Sequence, residues 1–186
     1  MALKSTIYKA AVQIADMDRQ VYGEHALTLA LHPSETEERL MVRLLAFALQ
    51  LPANDAQGEL VFARGLSDID EPDLWRRDLT GELKHWIEVG QPDERRLQRA
   101  CSRADRVAIY CYSAAAPIWW NGIRNKVTRF TNLDVWQLDA AQSQALAALA
   151  DRSLQLQFTI QDGHVWVHAG GGSVELLPQR LYGDPA

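Results

Sequence analysis

The sequence has only two cysteines, Cys101 and Cys111. One falls on the apolar side of a predicted helix and the other inside a predicted strand, and their spacing is not that of metal ligands. We therefore expect two reduced, buried thiols. A structural disulfide is not expected, because disulfides form in oxidising compartments and we expect a cytoplasmic protein.

Long apolar runs are also missing. No run approaches the roughly 20 residues that a membrane-crossing helix needs, and Lys9 interrupts the mildly apolar N-terminus before a signal-peptide core could form. We expect a cytoplasmic protein with no membrane partner. At 186 residues, 47% of them hydrophobic, one domain over residues 1–186 with a sizeable core is expected.

The common catalytic motifs are absent as well. The chain has no nucleophile elbow, no His-Glu-x-x-His, no Cys-x-x-Cys and no Gly-x-Gly-x-x-Gly, and its five histidines are scattered. A net charge of -5 argues against a surface that generally coats nucleic acid, since such binding comes mainly from neutralised phosphates. Any nucleic-acid contact would be local.

What the sequence does have is a concentration of acids between Leu66 and Leu97. Proline cannot donate to a sheet ladder, so Pro72 predicts a loop or an edge strand around Asp73. The residues from 83 to 89 alternate as in a strand, which places Glu88 near its end. Pro92 and the acids after it predict the start of a helix over residues 93–104.

A loop acid, a strand acid and then a helix is the layout of the PD-(D/E)XK nucleases, which the chain resembles at Pro72-Asp73 and Glu88-Val89-Gly90. Two such acids can hold Mg²⁺ or Mn²⁺, and Mg²⁺ in particular keeps several of its waters. The nuclease pattern has a lysine where this chain has Gly90. Gln91, one place on, could orient water or phosphate but cannot supply positive charge; Lys84 or Arg39 could substitute for the lysine if either reaches the site from a neighbouring strand or helix.

A wider resemblance covers nearly the whole chain and is to the YaeQ family. It is carried by ALKSTIYKA near the start, HPSETEERLMVRLLAFAL at 32–49, GLSDIDEPDLW at 65–75, WIEVGQPDERRL at 86–97 and IQDG at 160–163. The resemblance implies a bacterial cytosolic protein with a variant PD-(D/E)XK nuclease fold. It gives the fold rather than a biochemical activity.

The remaining periodicities predict a mixed α+β fold. The expected parts are an N-terminal hairpin of residues 6–14 and 25–31, a helix over 34–49 opened by a Ser34–Glu37 capping box, a nuclease-like core at about 34–112 with a mixed sheet containing strands 60–64, 83–89 and 107–112, and antiparallel strands after residue 153. The helices over 34–49 and 93–104 should flank that sheet.

Further site residues come from the two helices. One acid of the first helix, Glu35 or Glu38, could face Asp73 and Glu88; the alternative is that both lie on a solvated face. A second group, the arginines of the later helix, could grip phosphates or simply balance charge on a helix exterior. Its members are Arg95, Arg96 and Arg99.

Two hypotheses about function follow from these patterns. The first is a metal-dependent nuclease or phosphodiesterase, or a relative that keeps metal and nucleic-acid binding, with Asp73 and Glu88 as ligands. The second is a non-catalytic protein that binds a protein partner on a degenerate nuclease scaffold, near transcription or nucleic-acid handling. The acid pair favours the first, and the missing lysine favours the second.

Overall fold

A computed structural model describes residues 4–184 and confirms the mixed α+β class. In chain order, the described elements are β1 (Thr6–Asp16), β2 (Val21–Leu31), α1 (Glu37–Gln50), β3 (Leu60–Phe62), β4 (Leu74–Arg77), β5 (Leu83–Val89), α2 (Glu94–Arg103), β6 (Ala104–Cys111), α3 (Ala116–Ile123), β7 (Leu133–Gln137), α4 (Ala140–Ala147), β8 (Ser153–Gln161), β9 (His164–Ala169), β10 (Gly172–Leu176) and β11 (Gln179–Tyr182).

The chain divides into two compact units. The first comprises residues 1–53 and 141–177, and the second comprises residues 54–140 and 178–186. The prediction of one domain over residues 1–186 stays a prediction.

The first unit contains a five-stranded mixed sheet in the order β10-β9-β8-β1-β2. The N-terminal hairpin and the antiparallel C-terminal strands are confirmed, but β1 pairs in parallel with β8, so the two groups form one sheet. Alternate residues of β1 and β8 are buried, as the period of two requires. Helix α1 packs on this sheet, where the Phe47 ring meets the edge of His25 at 5.2 Å.

The start of α1 differs from the prediction. The N-cap is Thr36, whose side chain accepts a hydrogen bond from the Arg39 N–H, and the predicted Ser34–Glu37 capping box is wrong. Ser34 Oγ instead lies 2.6 Å from His32 Nδ1, and Glu37 accepts a hydrogen bond from the Tyr8 hydroxyl.

The second unit contains a six-stranded mixed sheet in the order β11-β7-β6-β5-β4-β3. The predicted strands at 60–64, 83–89 and 107–112 do lie in this one sheet, but β4 separates β3 from β5. Of the two predicted alternatives for the segment around Pro72, the loop is confirmed, and this loop leads into an interior strand, not an edge strand. Because the strand begins at Leu74, proline stays outside the ladder.

The crossover from β5 through α2 to β6 places the helix against the end of the sheet that carries the acids. Strands β5 and β6 are parallel, and Asp93 caps α2 by accepting a hydrogen bond from the Arg96 N–H. Leu97 of the helix packs in a buried cluster with Trp86 and Ile109 of the sheet. In residues 4–184, no helix is long and apolar enough to span a membrane.

Candidate functional site

Asp73 precedes β4 and is fully buried against the end of β5. Its backbone N–H donates to the Ile87 carbonyl at 3.1 Å, and its Oδ2 accepts from the Val89 N–H at 2.7 Å. These two bonds join Asp73 to the residues on either side of Glu88 in the neighbouring strand. Extending the β4–β5 register, in which Leu74 faces Ile87, places Asp73 opposite Glu88.

Glu88 is also buried, and each of its carboxylate oxygens accepts a hydrogen bond. Oε1 accepts from Arg96 Nε at 2.6 Å, and Oε2 accepts from the Trp86 indole N–H at 2.9 Å. Trp86 and Glu88 are two residues apart in β5 and so share the sheet face that α2 covers. The strand thus supplies the acid together with one of its donors.

The surroundings of Glu88 disfavour its ionised form. Burial, and next the charge of Asp73, raise the pKa of Glu88 to about 7, although the hydrogen bond and charge of Arg96 act in the opposite direction. Burial and a like charge nearby both disfavour ionisation of a carboxyl group. The structure therefore brings together the two acids on which the sequence prediction rests.

Arg96 lies at the centre of the contacts around Glu88. Besides Glu88, its guanidinium donates to the Ile69 carbonyl at 2.6 Å and to the Glu71 carbonyl at 2.7 Å. It therefore holds an acid and the preceding loop, a role that differs from both sequence-based alternatives, phosphate binding and charge balance on a helix exterior. A signal existed in the sequence: the first turn of a helix that follows a strand after a short loop lies beside the end of that strand.

The position of the nuclease lysine has an unusual backbone. Gly90 has a φ of +113°, which side chains rarely adopt, and its N–H donates to the Tyr110 carbonyl. The side-chain amide of Gln91 donates to the Tyr112 carbonyl at 2.5 Å. Its predicted role in orienting water or phosphate stays a prediction.

The helix acids belong to the first unit, whereas Asp73 and Glu88 belong to the second. Glu35 precedes the N-cap, so it is not a helix residue, and it accepts hydrogen bonds from Arg39 and Arg43 at 3.0 Å. Glu38 accepts from Ser143 Oγ at 2.6 Å. The predicted role of Glu35 or Glu38 beside the acid pair stays a prediction.

The other cations have various partners. Lys84 lies at the opposite end of β5 from Glu88 and pairs with Asp78, Glu82 and Asp105. Arg99 pairs with Asp70 at 2.7 Å, while the side chain of Arg95 is exposed. The phosphate-binding role of Arg95, Arg96 and Arg99 stays a prediction.

The donor set of the pair suits a hard cation. Within residues 4–184, no group of three His, Cys, Asp or Glu side chains could hold a metal ion. A hydrated Mg²⁺ or Mn²⁺ ion does not require three, because Mg²⁺ often binds through one or two carboxylates and keeps several of its waters. The buried pair of Asp73 and Glu88 fits that requirement in donor type and number.

The two mixed sheets and the four described helices define the fold class as mixed α+β, and the acid pair lies at the end of one strand. The chain belongs to the YaeQ family, whose model, described as YaeQ protein, matches residues 1–178.

Relatives and solved structures agree with this assignment. The chain is 49% identical over 177 residues to the "Uncharacterized protein YaeQ" of Salmonella typhi and 48% identical to that of Escherichia coli K12, with 95% of each chain covered in both comparisons. The crystal structure of the YaeQ protein from Xanthomonas axonopodis pv. citri is similar with a TM-score of 0.90 and 49% identity, covering 97% of this chain and 99% of that one. The YaeQ protein from Pseudomonas syringae gives a TM-score of 0.87 and 37% identity, covering 97% of both chains.

Proposed function

We propose that the chain is a nuclease-like protein whose Asp73–Glu88 pair binds one Mg²⁺ or Mn²⁺ ion and acts on phosphodiesters of nucleic acid. The observation that carries this proposal is the placing of two buried carboxylates at neighbouring positions on adjacent strands. When bound, such an ion would stabilise phosphate charge and activate water. The variant PD-(D/E)XK core and the cytoplasmic location belong to the same proposal.

The chain's own residues prepare this site. Arg96 and Trp86 hold the Glu88 carboxylate in one orientation, and the Val89 N–H does the same for Asp73. Arg96 Nε also brings positive charge within 2.6 Å of Glu88 Oε1, in a site whose lysine position is glycine. It is thus a better substitute for that charge than Lys84, which is bound at the far end of β5.

Cleavage of a mixed panel of single-stranded, duplex and branched DNA and RNA in Mn²⁺ tests the proposed activity. We expect cleavage by the wild type that Glu88→Gln abolishes, because the substitution removes a charged ligand and leaves the shape of the side chain. Asp105→Asn, which removes an exposed acid elsewhere in the second unit, should cleave like the wild type. Equal background in the wild type and Glu88→Gln would contradict the activity.

A second candidate is a non-catalytic protein that binds a protein partner near transcription or nucleic-acid handling. It is favoured by the hydrogen bonds that both Glu88 oxygens already accept and by the φ of Gly90, which disfavours any lysine there. In that case Glu88→Gln should retain a specific partner in a pull-down as well as the wild type does, with neither protein cleaving the panel.

A further inference from the structure

Residues 65–72, here called the strap, run from a 3-10 turn at Gly65–Ser67 to the residue before Asp73. Three arginines of α2 bind the strap, each through its own hydrogen bond. Arg96 donates to the Ile69 carbonyl, Arg99 to the Asp70 carboxylate at 2.7 Å, and Arg103 to the Asp70 carbonyl at 3.4 Å. Their spacing of three and four residues places all three on one helix face.

Charge, more than burial, holds the middle of the strap in place. The ends of the strap, Gly65 and Pro72, are buried, but the side chains of Leu66 and Ile69 between them are 49% and 74% exposed and contribute little burial. The Arg99–Asp70 pair is exposed on both sides. Exposed pairs of this kind are individually weak and are screened by salt, so this segment should open more easily than the sheet beneath it.

The strap is also connected directly to the acid pair. One guanidinium, that of Arg96, binds Glu88 through Nε and the strap carbonyls of Ile69 and Glu71 through its other two nitrogens. At the other end of the pair, a Cβ added to Gly65 would lie 2.8 Å from Asp73 Oδ1. The strap is therefore joined to Glu88 through Arg96, and Gly65 leaves too little space for a side chain beside Asp73.

We propose that the strap is a charge-latched cover whose opening exposes Glu88 and releases two of the contacts of Arg96. The biological use of this opening rests on the proposed function, since a buried acid pair must become accessible before it can take a cation or meet a phosphate. The opening itself does not depend on metal or substrate, so it can be tested without either.

The test compares Asp70→Asn with Asp105→Asn in the full chain. Both residues are exposed acids, 66% and 65% exposed, each paired with one basic residue of the second unit, but only Asp70 binds α2. Two readouts apply without divalent cations: hydrogen exchange of the strap amides, and carbodiimide-activated labelling of the Glu88 carboxyl, each located by mass spectrometry.

We expect Asp70→Asn to raise both the exchange of the strap amides and the labelling of Glu88 by about 1.4- to fivefold, the range for loss of one exposed ion pair. Asp105→Asn should match the wild type, and 1 M NaCl should raise both readouts in the wild type. Unchanged exchange in Asp70→Asn would overturn the latch, and faster exchange with unchanged Glu88 labelling would overturn the cover. Failure of Mn²⁺ binding or of cleavage would instead count against the proposed function.

Discussion

Two buried titratable residues of β5 have pKa values that are shifted in opposite directions. Burial, followed by the charges of Arg106 and Arg76, lowers the pKa of His85 to about 3, whereas the pKa of Glu88 is raised to about 7. The folded state therefore resists protonating His85 below its ordinary pKa of 6.5 and resists ionising Glu88 above its ordinary pKa of 4.5. Between those values the two residues change the free energy of unfolding with opposite signs.

Substituting either residue should leave the pH dependence of the free energy of unfolding that the other residue causes. In Glu88→Gln, the free energy of unfolding should rise relative to wild type as pH increases from about 4.5 to 6.5, by up to about 1.4 kcal/mol per pH unit. In His85→Gln it should fall relative to wild type over the same range. Urea titrations without divalent cations measure both values. Parallel pH profiles for all three proteins would contradict the burial of these groups.

Gly90 allows a second prediction at the scale of one residue. A Cβ added there meets nothing within 4 Å, so Gly90→Ala should cost only backbone strain, roughly 1–3 kcal/mol, because its φ is +113°. Gly122→Ala is the control, because Gly122 lies in α3, where space is also open and φ is not positive. This substitution should raise the free energy of unfolding by up to about 1 kcal/mol. Thermal or urea unfolding gives both values, and equal effects would contradict the assigned backbone.

At the scale of elements, the start of α1 is tested by its cap. Thr36→Ala should lower the free energy of unfolding by about 1 kcal/mol, because it removes the acceptor for the Arg39 N–H. Ser34→Ala should cost less than half of that, since Ser34 is exposed and its side chain bonds to the ring of half-buried His32. A larger loss from Ser34→Ala in urea unfolding would restore the predicted capping box.

The sequence predicted elements best where local signals agreed. β5 has the predicted limits of 83 and 89, and α2 begins and ends within one residue of the prediction, because apolar alternation, proline and first-turn acids all indicate them. The cap of α1 could not be predicted, because Ser34 and Thr36 are both good caps and the choice between them depends on His32. β4 was missed because Pro72 is a strand breaker, although the strand begins after it.

At the scale of the whole molecule, long-range pairing was the part that the sequence did not predict. Alternation shows which face of β1 is buried but not its neighbour, and residues 9–16 pair with residues 153–160 from the other end of the chain. The acid pair was predicted because Asp73 and Glu88 match a known spacing. The contact of Arg96 with Glu88 was not: the short loop places the first turn of α2 beside the end of β5, but which side chain reaches Glu88 depends on how the helix lies against the sheet.

The central claim is that Asp73 and Glu88 together form a site for one divalent cation. The most direct measurement is the anomalous difference density of a crystal grown with Mn²⁺, with a crystal of Asp73→Asn grown in the same way as the control. We predict one peak in contact with both carboxylates in the wild type and its loss or clear weakening in the variant. Wild-type density without such a peak, with Arg96 Nε still bonded to Glu88 Oε1, would contradict the claim.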